Sequence, residues 1–309
     1  MKVLCFGSCN IDYVYSLDHI VAPGETVAAS AVASHPGGKG LNQAVALGRG
    51  GAPVYFAGCI GDDGEFLNSY MRTVGVDTSY IKKVEDKTGQ AFIQVSKSGE
   101  NSIVIYHGAN YRISREYIDS VLSDFECGDI LTLQNEINET EYLIDKAHSI
   151  GMKIFLNPSP FDEKIKSVDL NKIHCLIVNS HEAAEYVGGG GYEKFISFIR
   201  EKYPTLTAVV TLGAGGSVWF DSERKIYKDA YKVKAVDTTG AGDTFTGYFI
   251  SSVAKGESIE DSLNIASCAA AIAVASEGAA SSIPDLSAVK SKLKLLTSDN
   301  LKVFNRKFQ

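Results

Sequence analysis

Short apolar runs alternate along the chain with longer stretches in which apolar residues recur at helical spacing. The runs predicted as strands are Val3–Gly7, Val54–Cys59, Ile130–Leu133, Lys153–Leu156, Cys175–Val178 and Ala208–Leu212. The stretches predicted as helices are Gly40–Gly48, Glu65–Val74, Glu139–His148, Glu193–Lys202, Ala241–Ala254, Ile259–Ser276 and Leu286–Leu295. This alternation predicts an α/β protein with three α/β/α layers and a mostly parallel central sheet, because helical connections cover both faces of such a sheet.

Two regions interrupt the alternation. Tyr13–Ala33 and Gln90–Tyr106 lack helical periodicity. In the second, the apolar stretches Gln90–Val95 and Ser102–Tyr106 flank the turn sequence Ser98–Asn101, a pattern typical of a β-hairpin. Both regions precede polar motifs, so we predict a small β lid formed by about residues 13–35 and 90–106. The apolar residues of the hairpin suggest that both faces of the lid are buried, which an isolated lid would not achieve.

Composition excludes several classes of protein. A chain of 309 residues with 45% hydrophobic residues can bury a large core, and we expect one α/β domain over residues 1–309. Its 30 Lys and Arg against 37 Asp and Glu give a net charge of −7, opposite in sign to a nucleic-acid or membrane-surface protein. The chain begins directly with a strand pattern, and no apolar run approaches the roughly 18 residues of a membrane span. Six scattered cysteines without a Cys-x-x-Cys pair suggest reduced thiols and a cytoplasmic protein.

The segment Val236–Phe249 carries the strongest chemical signal. Its small residues lead through Gly240, Ala241 and Gly242 to one carboxylate, Asp243, and then to an apolar helix. Free N–H groups and the helix dipole make such a turn suitable for an anion. A carboxylate beside an anion site is consistent with a general base acting on an attacking hydroxyl. Taken alone, the segment is equally consistent with a glycine-rich turn that enters a buried helix.

Two further segments add polar groups of a ligand site. Gly37–Gly48 again runs from glycines into a helix, and Lys39 and Asn42 lie on one face of its first turn. It is not a Walker A loop, because Gly40 rather than Ser or Thr follows Lys39. The third segment places Asn10 and Asp12 just beyond the first strand, where open α/β sheets bind ligands.

Together these segments resemble the ribokinase-like carbohydrate kinases, also called the phosphofructokinase B family. The resemblance runs in order from Gly7 to about Pro284, and several spaced motifs are more specific than a single glycine-rich loop. The matching motifs are Gly7–Asp12, Gly37–Gln43, Asn157–Pro158, Asn179–Glu182, Thr211–Gly213 and Asp237–Asp243.

Within the family the chain is most similar to the ribokinases, which implies transfer of phosphate from ATP to the 5-hydroxyl of D-ribose. Asp243 would be the general base, and the N–H groups of Gly240, Ala241 and Gly242 would stabilise the transferred phosphoryl group. The implied sugar contacts are Asn10, Asp12, Gly38, Lys39, Asn42, Glu136 and Asp243.

The resemblance also implies the remaining ligands. The implied ATP contacts are Asn179, Thr211, Leu212, Gly213, Ala214, Gly215, Gly216, Gly242 and Ser267. Mg²⁺ would bind the phosphates, with Glu182 reaching it through water. The implied monovalent-cation site, expected to hold K⁺, consists of Asp237, Thr239, Ala273, Ser276, Gly278 and Ser282. The lid would pair two chains as a homodimer.

Two other functions remain open from the sequence. One is a kinase of the same fold that acts on another sugar, a sugar acid or a nucleoside. In a nucleoside kinase, Phe92 and Tyr106 of the hairpin could form the pocket for the nucleobase. The other is a non-catalytic sugar-binding protein. The intact Gly240–Asp243 argues against the latter, because a binding protein has no need of a base.

Overall fold

The computed structural model describes residues 1–295, and all numbered elements below lie in that range. The strands are β1 (Val3–Phe6), β2 (Asn10–Leu17), β3 (Ala31–Gly37), β4 (Val54–Ile60), β5 (Asp77–Lys83), β6 (Gly89–Ser96), β7 (Asn101–Tyr106), β8 (Ile130–Gln134), β9 (Lys153–Asn157), β10 (Cys175–Asn179), β11 (Thr207–Thr211), β12 (Ser217–Phe220) and β13 (Lys225–Lys228). The α-helices are α1 (Lys39–Arg49), α2 (Glu65–Thr73), α3 (Arg115–Leu122), α4 (Thr140–Ile150), α5 (Glu163–Lys166), α6 (Ser180–Tyr186), α7 (Gly191–Lys202), α8 (Ala241–Ala254), α9 (Ile259–Ala273) and α10 (286–295). Short 3₁₀ turns occupy Asp62–Gly64, Gly108–Tyr111, Leu170–Lys172 and Gly213–Gly215.

Nine strands form the central sheet in the order β13-β12-β11-β10-β9-β8-β1-β4-β5. The strands from β11 to β5 pair in parallel, and only β12 and β13 are antiparallel additions at one edge. Alternate side chains of β1 enter two different cores: Leu4 packs with the helices of one face, and Val3 packs with those of the other. The predicted α/β/α architecture is therefore confirmed.

The sequence pattern missed the helices α3, α5 and α6 and three strands of the central sheet. β5, β12 and β13 are edge or near-edge strands, and β5 alternates exposed and buried positions only weakly. One predicted boundary was wrong: the helix predicted over Ile259–Ser276 ends at Ala273. It ends there because the chain turns, and the carbonyl of Val274 accepts hydrogen bonds from Val236 and Asp237.

A separate four-stranded sheet, β3-β2-β6-β7, covers the carboxyl end of β1. The predicted hairpin is confirmed as the antiparallel pair of β6 and β7. The parallel pairing of β2 with β6 joins distant segments, and Asn10 at its start pairs with both Gly37 and Gly89. The lid therefore begins at the polar residues that follow β1.

Close backbone contacts position the two helices that carry the main motifs. α1 packs beside α8 at Gly247, where an added Cβ would lie 2.4 Å from the Cβ of Ala46 and 2.7 Å from the carbonyl oxygen of Gln43. A Cβ on Gly40 would lie 2.4 Å from the backbone nitrogen of Ser8. Only glycine permits either approach, so these residues set the spacing of α1 from α8 and from the end of β1.

Candidate functional site

Asp243 lies in the first turn of α8 and is 6% exposed. Gly240 precedes that helix in a left-handed conformation with φ of 71°. Two neighbouring amides of α1 hold the carboxylate: Asn42 Nδ2 donates to Oδ2 over 3.1 Å, and Gln43 Nε2 donates to Oδ1 over 3.0 Å. The Asp243 carboxylate is thus fixed between two helices that lie far apart in the sequence.

A cleft of about 500 Å³ opens beside Asp243. It brings together residues from the predicted sugar, catalytic and nucleotide sets. The lining includes Lys39, Asn157, Ser159, Asn179, Glu182, Thr211, Gly213, Thr238, Gly240, Gly242, Asp243 and Thr246.

Two of the predicted sugar contacts, Lys39 and Asp243, line one end of this cleft, and Glu136 and Asn42 are hydrogen-bonded to them. The lining does not include Asn10, Asp12 or Gly38. Glu136 accepts hydrogen bonds from the Ser8 hydroxyl and from the Lys39 N–H, the latter over 2.9 Å. Asn10 accepts from Asn110 Nδ2 over 2.7 Å. Gly89 makes room for this pair, since an added Cβ there would lie within 2.1 Å and 2.2 Å of the two amide groups. Gly38 links β3 to α1 with φ of 90°, a conformation that favours glycine.

Buried charges dominate this end of the site. Burial, together with Glu136 and Asp243, raises the pKa of Asp12 to about 7. Burial also raises the pKa of Glu136, although the Lys39 ammonium opposes that change. Asp243 in turn raises the pKa of Lys39 and keeps it charged.

Among the predicted sugar contacts, two buried oxygens have no hydrogen-bond partner within residues 1–295: Oδ1 of Asp12 and Oδ1 of Asn42. Leaving such acceptors unpaired costs roughly 1–3 kcal/mol each. Acceptors of this kind suit a ligand that is rich in hydroxyl groups, because each hydroxyl supplies the missing donor.

The opposite end of the cleft is built around the start of α6. Asn179 and Glu182 form a capping box, in which Asn179 Oδ1 accepts from the Glu182 N–H and Glu182 Oε2 accepts from the Asn179 N–H, each over 2.9 Å. The other oxygen of Glu182 accepts from the Ser159 hydroxyl. Thr211 and Gly213 line the cleft beside these residues.

The remaining predicted nucleotide contacts lie outside the residues that line the cleft. Leu212 packs against the hydrophobic core. Ala214 and Gly215 continue the 3₁₀ turn, and Gly216 ends it with φ of 100°. Ser267 is 8% exposed on α9. These positions stay predictions.

A chain of amides, to which sequence reasoning assigned no role, joins the two ends of the site: Gln43 and Gln134 are buried, and Asn157 is half-buried. Gln43 Nε2 donates to Asp243 and also to Asn157 Oδ1 over 3.0 Å, while Gln43 Oε1 accepts from Gln134 Nε2 over 2.7 Å. Asn157 then donates to Ser159 Oγ over 3.1 Å, and Ser159 reaches Glu182. The available signal was the presence of glutamines within otherwise apolar, buried elements.

The predicted cation loop closes on Asp237. Its two carboxylate oxygens accept from the N–H groups of Thr239 over 2.9 Å and of Gly278 over 3.0 Å. Partial burial works to raise the pKa of Asp237, but these hydrogen bonds outweigh it and hold the pKa below its usual range. Ala273 accepts from the Ser276 N–H over 3.1 Å, and the Ser282 hydroxyl donates to the Ala279 carbonyl over 3.0 Å. The loop thus brings both halves of the predicted set together.

One of the three predicted anion-site donors has a competing partner. The Ala241 N–H donates to the carbonyl of Thr238 over 3.3 Å, near the long limit for such a bond. An anion at this turn would therefore have to displace a weak contact.

Comparison with known proteins agrees with this geometry. Residues 1–286 match the family described as pfkB family carbohydrate kinase. A ribokinase of Haemophilus influenzae is 36% identical over 290 residues, covering 90% of this chain and 94% of that protein. The crystal structure of a ribokinase from Thermotoga maritima superimposes with a TM-score of 0.85 at 34% identity, over 95% of this chain and 99% of that one.

A third relative was solved with its ligands. The structure of Arabidopsis thaliana ribokinase complexed with ribose and ATP has a TM-score of 0.84 at 28% identity and covers 95% of this chain and 98% of that one. Within residues 1–295, no helix is both long and apolar enough to cross a membrane. The order of the motifs, the nine-stranded sheet with its separate lid and the match over most of the chain agree, and the chain belongs to the pfkB family of carbohydrate kinases.

Proposed function

We propose that this protein is a ribokinase, which transfers the γ-phosphoryl group of ATP to the 5-hydroxyl of D-ribose. The observation that carries the proposal is the position of Asp243, buried at the start of α8 and in one cleft with Lys39 and Asn179. Relatives named ribokinase, 36% identical in the case of Haemophilus influenzae, support the choice of sugar.

In the proposed reaction Asp243 accepts the proton of the sugar hydroxyl as that oxygen attacks the γ-phosphorus. The bond from the γ-phosphorus to the bridging oxygen breaks, and ADP leaves with the electron pair. The N–H groups of Gly240, Ala241 and Gly242 stabilise the negative charge on the phosphoryl oxygens. Lid closure excludes water, which would otherwise compete with the sugar as acceptor.

The sugar binds under the lid, between β2 and α1. Its contacts are the side chains of Asn10, Asp12, Lys39, Asn42 and Glu136, together with Gly38. Support comes from the unpaired Oδ1 atoms of Asp12 and Asn42, which suit hydroxyl donors. The Ser8 hydroxyl and the Lys39 N–H orient Glu136 in advance of binding.

The nucleotide occupies the other end of the cleft. Asn179, Thr211, Gly213 and Gly242 line it, and we place the phosphates over the start of α8. The adenine contacts remain assigned to 212–216 and Ser267.

Mg²⁺ accompanies the nucleotide and neutralises charge on its phosphates. Within the described chain, no three His, Cys, Asp or Glu side chains group as a metal site, so the phosphates themselves would supply most ligands. Both oxygens of Glu182 accept hydrogen bonds from protein groups, which fits contact through water better than direct coordination.

K⁺ would bind where Asp237 meets Gly278, beside the anion site. The ligands would be side-chain oxygens of Asp237 and Ser282 and carbonyl oxygens of Thr239, Ala273, Ser276 and Gly278, which are the hard ligands that an alkali cation prefers. A cation there would order the turn that contains Gly240.

The lid would also form a homodimer interface in a cytoplasmic enzyme. Val32 on one edge strand of the lid and Ile103, Val104 and Ile105 on the other are 44–62% exposed in a single chain, which is a large exposed apolar content for so small a sheet. Val104→Glu should convert the dimer to a monomer in analytical ultracentrifugation, and an unchanged sedimentation coefficient would refute this interface.

The test of the proposed function is ADP release measured across a panel of sugars, sugar acids and nucleosides. D-ribose should have the highest kcat/KM, and the product should carry phosphate on the 5-oxygen by ³¹P NMR. 2-Deoxyribose should lose roughly 5–150-fold, because one buried acceptor is left unpaired at a cost of roughly 1–3 kcal/mol. A tenfold preference for a nucleoside or a sugar acid would refute D-ribose as the substrate but would leave the assignment as a kinase intact.

A further inference from the structure

Gln43 is completely buried between α1 and the central sheet, and no part of the proposed reaction requires it to touch substrate. It nevertheless contacts the proposed base directly. Its amide reaches across to α8, to the end of β8 and to the end of β9. A buried amide with partners on three elements is costly to bury unless its hydrogen bonds are all satisfied.

Both N–H bonds of the Gln43 side-chain amide donate hydrogen bonds, and its oxygen accepts one. Its NH₂ group donates once to Asp243 Oδ1 and once to Asn157 Oδ1, each over 3.0 Å. Its carbonyl oxygen accepts from Gln134 Nε2 over 2.7 Å. The reversed amide would place an oxygen against two acceptor oxygens, so only one orientation is favourable.

The consequence for Asp243 is a fixed carboxylate plane. Gln43 holds Oδ1, and Asn42, the preceding residue of the same helix, holds Oδ2. A carboxylate with one amide donor on each oxygen cannot rotate about its Cβ–Cγ bond without breaking both contacts. Each oxygen retains a second lone pair that can face the substrate hydroxyl.

We propose that Gln43 is a positioning residue that orients the base Asp243, and that Gln134 and Asn157 lock the Gln43 amide for this purpose. Through Asn157 and Ser159 the same chain of hydrogen bonds reaches Glu182 at the phosphate end of the cleft. The residue therefore acts on the chemical step through Asp243 rather than on the affinity for sugar. This inference rests on the proposed function of Asp243.

The test is Gln43→Met, which keeps the side-chain length and removes both donors and the acceptor. We expect kcat to fall about 10–100-fold, since a misplacement of about 1 Å at a reacting group costs up to 10²-fold. The Kd for D-ribose, measured by calorimetry, should change by no more than about threefold, because the interaction acts in the transition state rather than the ground state. Gln134→Met should lower kcat in the same direction, but less.

Two matched controls separate positioning from folding. Thr132→Val alters a buried hydroxyl on β8 that has no partner among residues 1–295, and it should leave kcat unchanged. Leu133→Val lies on the opposite face of β8, in the other core, and should lower Tm while leaving kcat within about twofold. If Gln43→Met kept the wild-type kcat, or lost kcat only in proportion to ribose affinity and Tm, the positioning role would be wrong. Absence of ribose-dependent ADP release from the wild-type protein would instead refute the proposed function.

Discussion

The distance between α1 and α8 at Gly247 should control the position of the Asp243 carboxylate, one helical turn away, and therefore the rate of the reaction. In Gly247→Ala the new methyl group would lie 2.4 Å from the Cβ of Ala46, whereas ordinary contact begins at 3.4 Å. The two helices must therefore move apart by about 1 Å or distort locally. The bonds from Asn42 and Gln43 to Asp243, now 3.1 and 3.0 Å, would lengthen to about 4 Å and be lost.

We expect two measurable effects of Gly247→Ala. Overpacking of this kind costs typically ~1–3 kcal/mol, so thermal unfolding should show a Tm lowered by about 2–5 °C in a chain of this size. In the coupled ADP-release assay, kcat should fall about 10–100-fold because the base is misplaced. Both effects follow from the same separation of the helices.

A second substitution tests that cause. Ala46→Gly in the Gly247→Ala background removes the shortest contact and should recover part of both Tm and kcat, although the contact with the Gln43 carbonyl remains. Ser252→Ala on α8, which replaces a buried hydroxyl without a partner among residues 1–295, serves as the control and should behave like wild type. A Gly247→Ala protein with lowered Tm but unchanged kcat would refute the link between helix spacing and the geometry of Asp243.

Three further outcomes are expected. Asp243→Asn should lower kcat roughly 10²–10⁴-fold while ribose binding by calorimetry is largely kept; near-wild-type turnover would exclude it as the base. The KM for ribose should rise as pH falls from about 8 to about 6, because the pKa of Asp12 is raised to about 7 and only its ionised form offers both oxygens to sugar hydroxyls. Asp12→Asn should flatten this pH dependence of KM, and an equally steep profile in that variant would show that another group causes it. Activity should rise with K⁺ and less with Na⁺ through ordering of the loop at Asp237, and equal rates in K⁺ and a bulky organic cation would argue against the site.

The pKa of Asp12 also has a consequence for folding, with a defined sign. Its carboxyl binds a proton more tightly in the folded protein, about 7 against the ordinary 3.8. The contribution of this group to stability is therefore fully present below about pH 4 and is lost as pH rises toward about 7. Asp12→Asn should remove that loss, so the variant should gain Tm relative to wild type at neutral pH.

Much of the fold could be predicted from local pattern. Periodicity alone located the inner strands and most helices, and the turn chemistry of Ser98–Asn101 predicted the hairpin that β6 and β7 form. The glycine turns before Lys39 and Asp243 identified both motif-bearing helices. These features were accessible because they depend on residues that are close in the sequence.

What only the tertiary structure decided was which polar atoms meet. The parallel pairing of β2 with β6 and the bond from Gln43 to Asp243, 200 residues away, leave no local pattern. In the sequence, Gly247 cannot be distinguished from other glycines in helices. Its role is visible only in the structure, where Ala46 of α1 packs against it. Whether a hydrogen bond forms depends on differences of a few tenths of an ångström in the distance between donor and acceptor. When the two atoms lie on elements far apart in the sequence, only the close packing of side chains and backbone sets that distance.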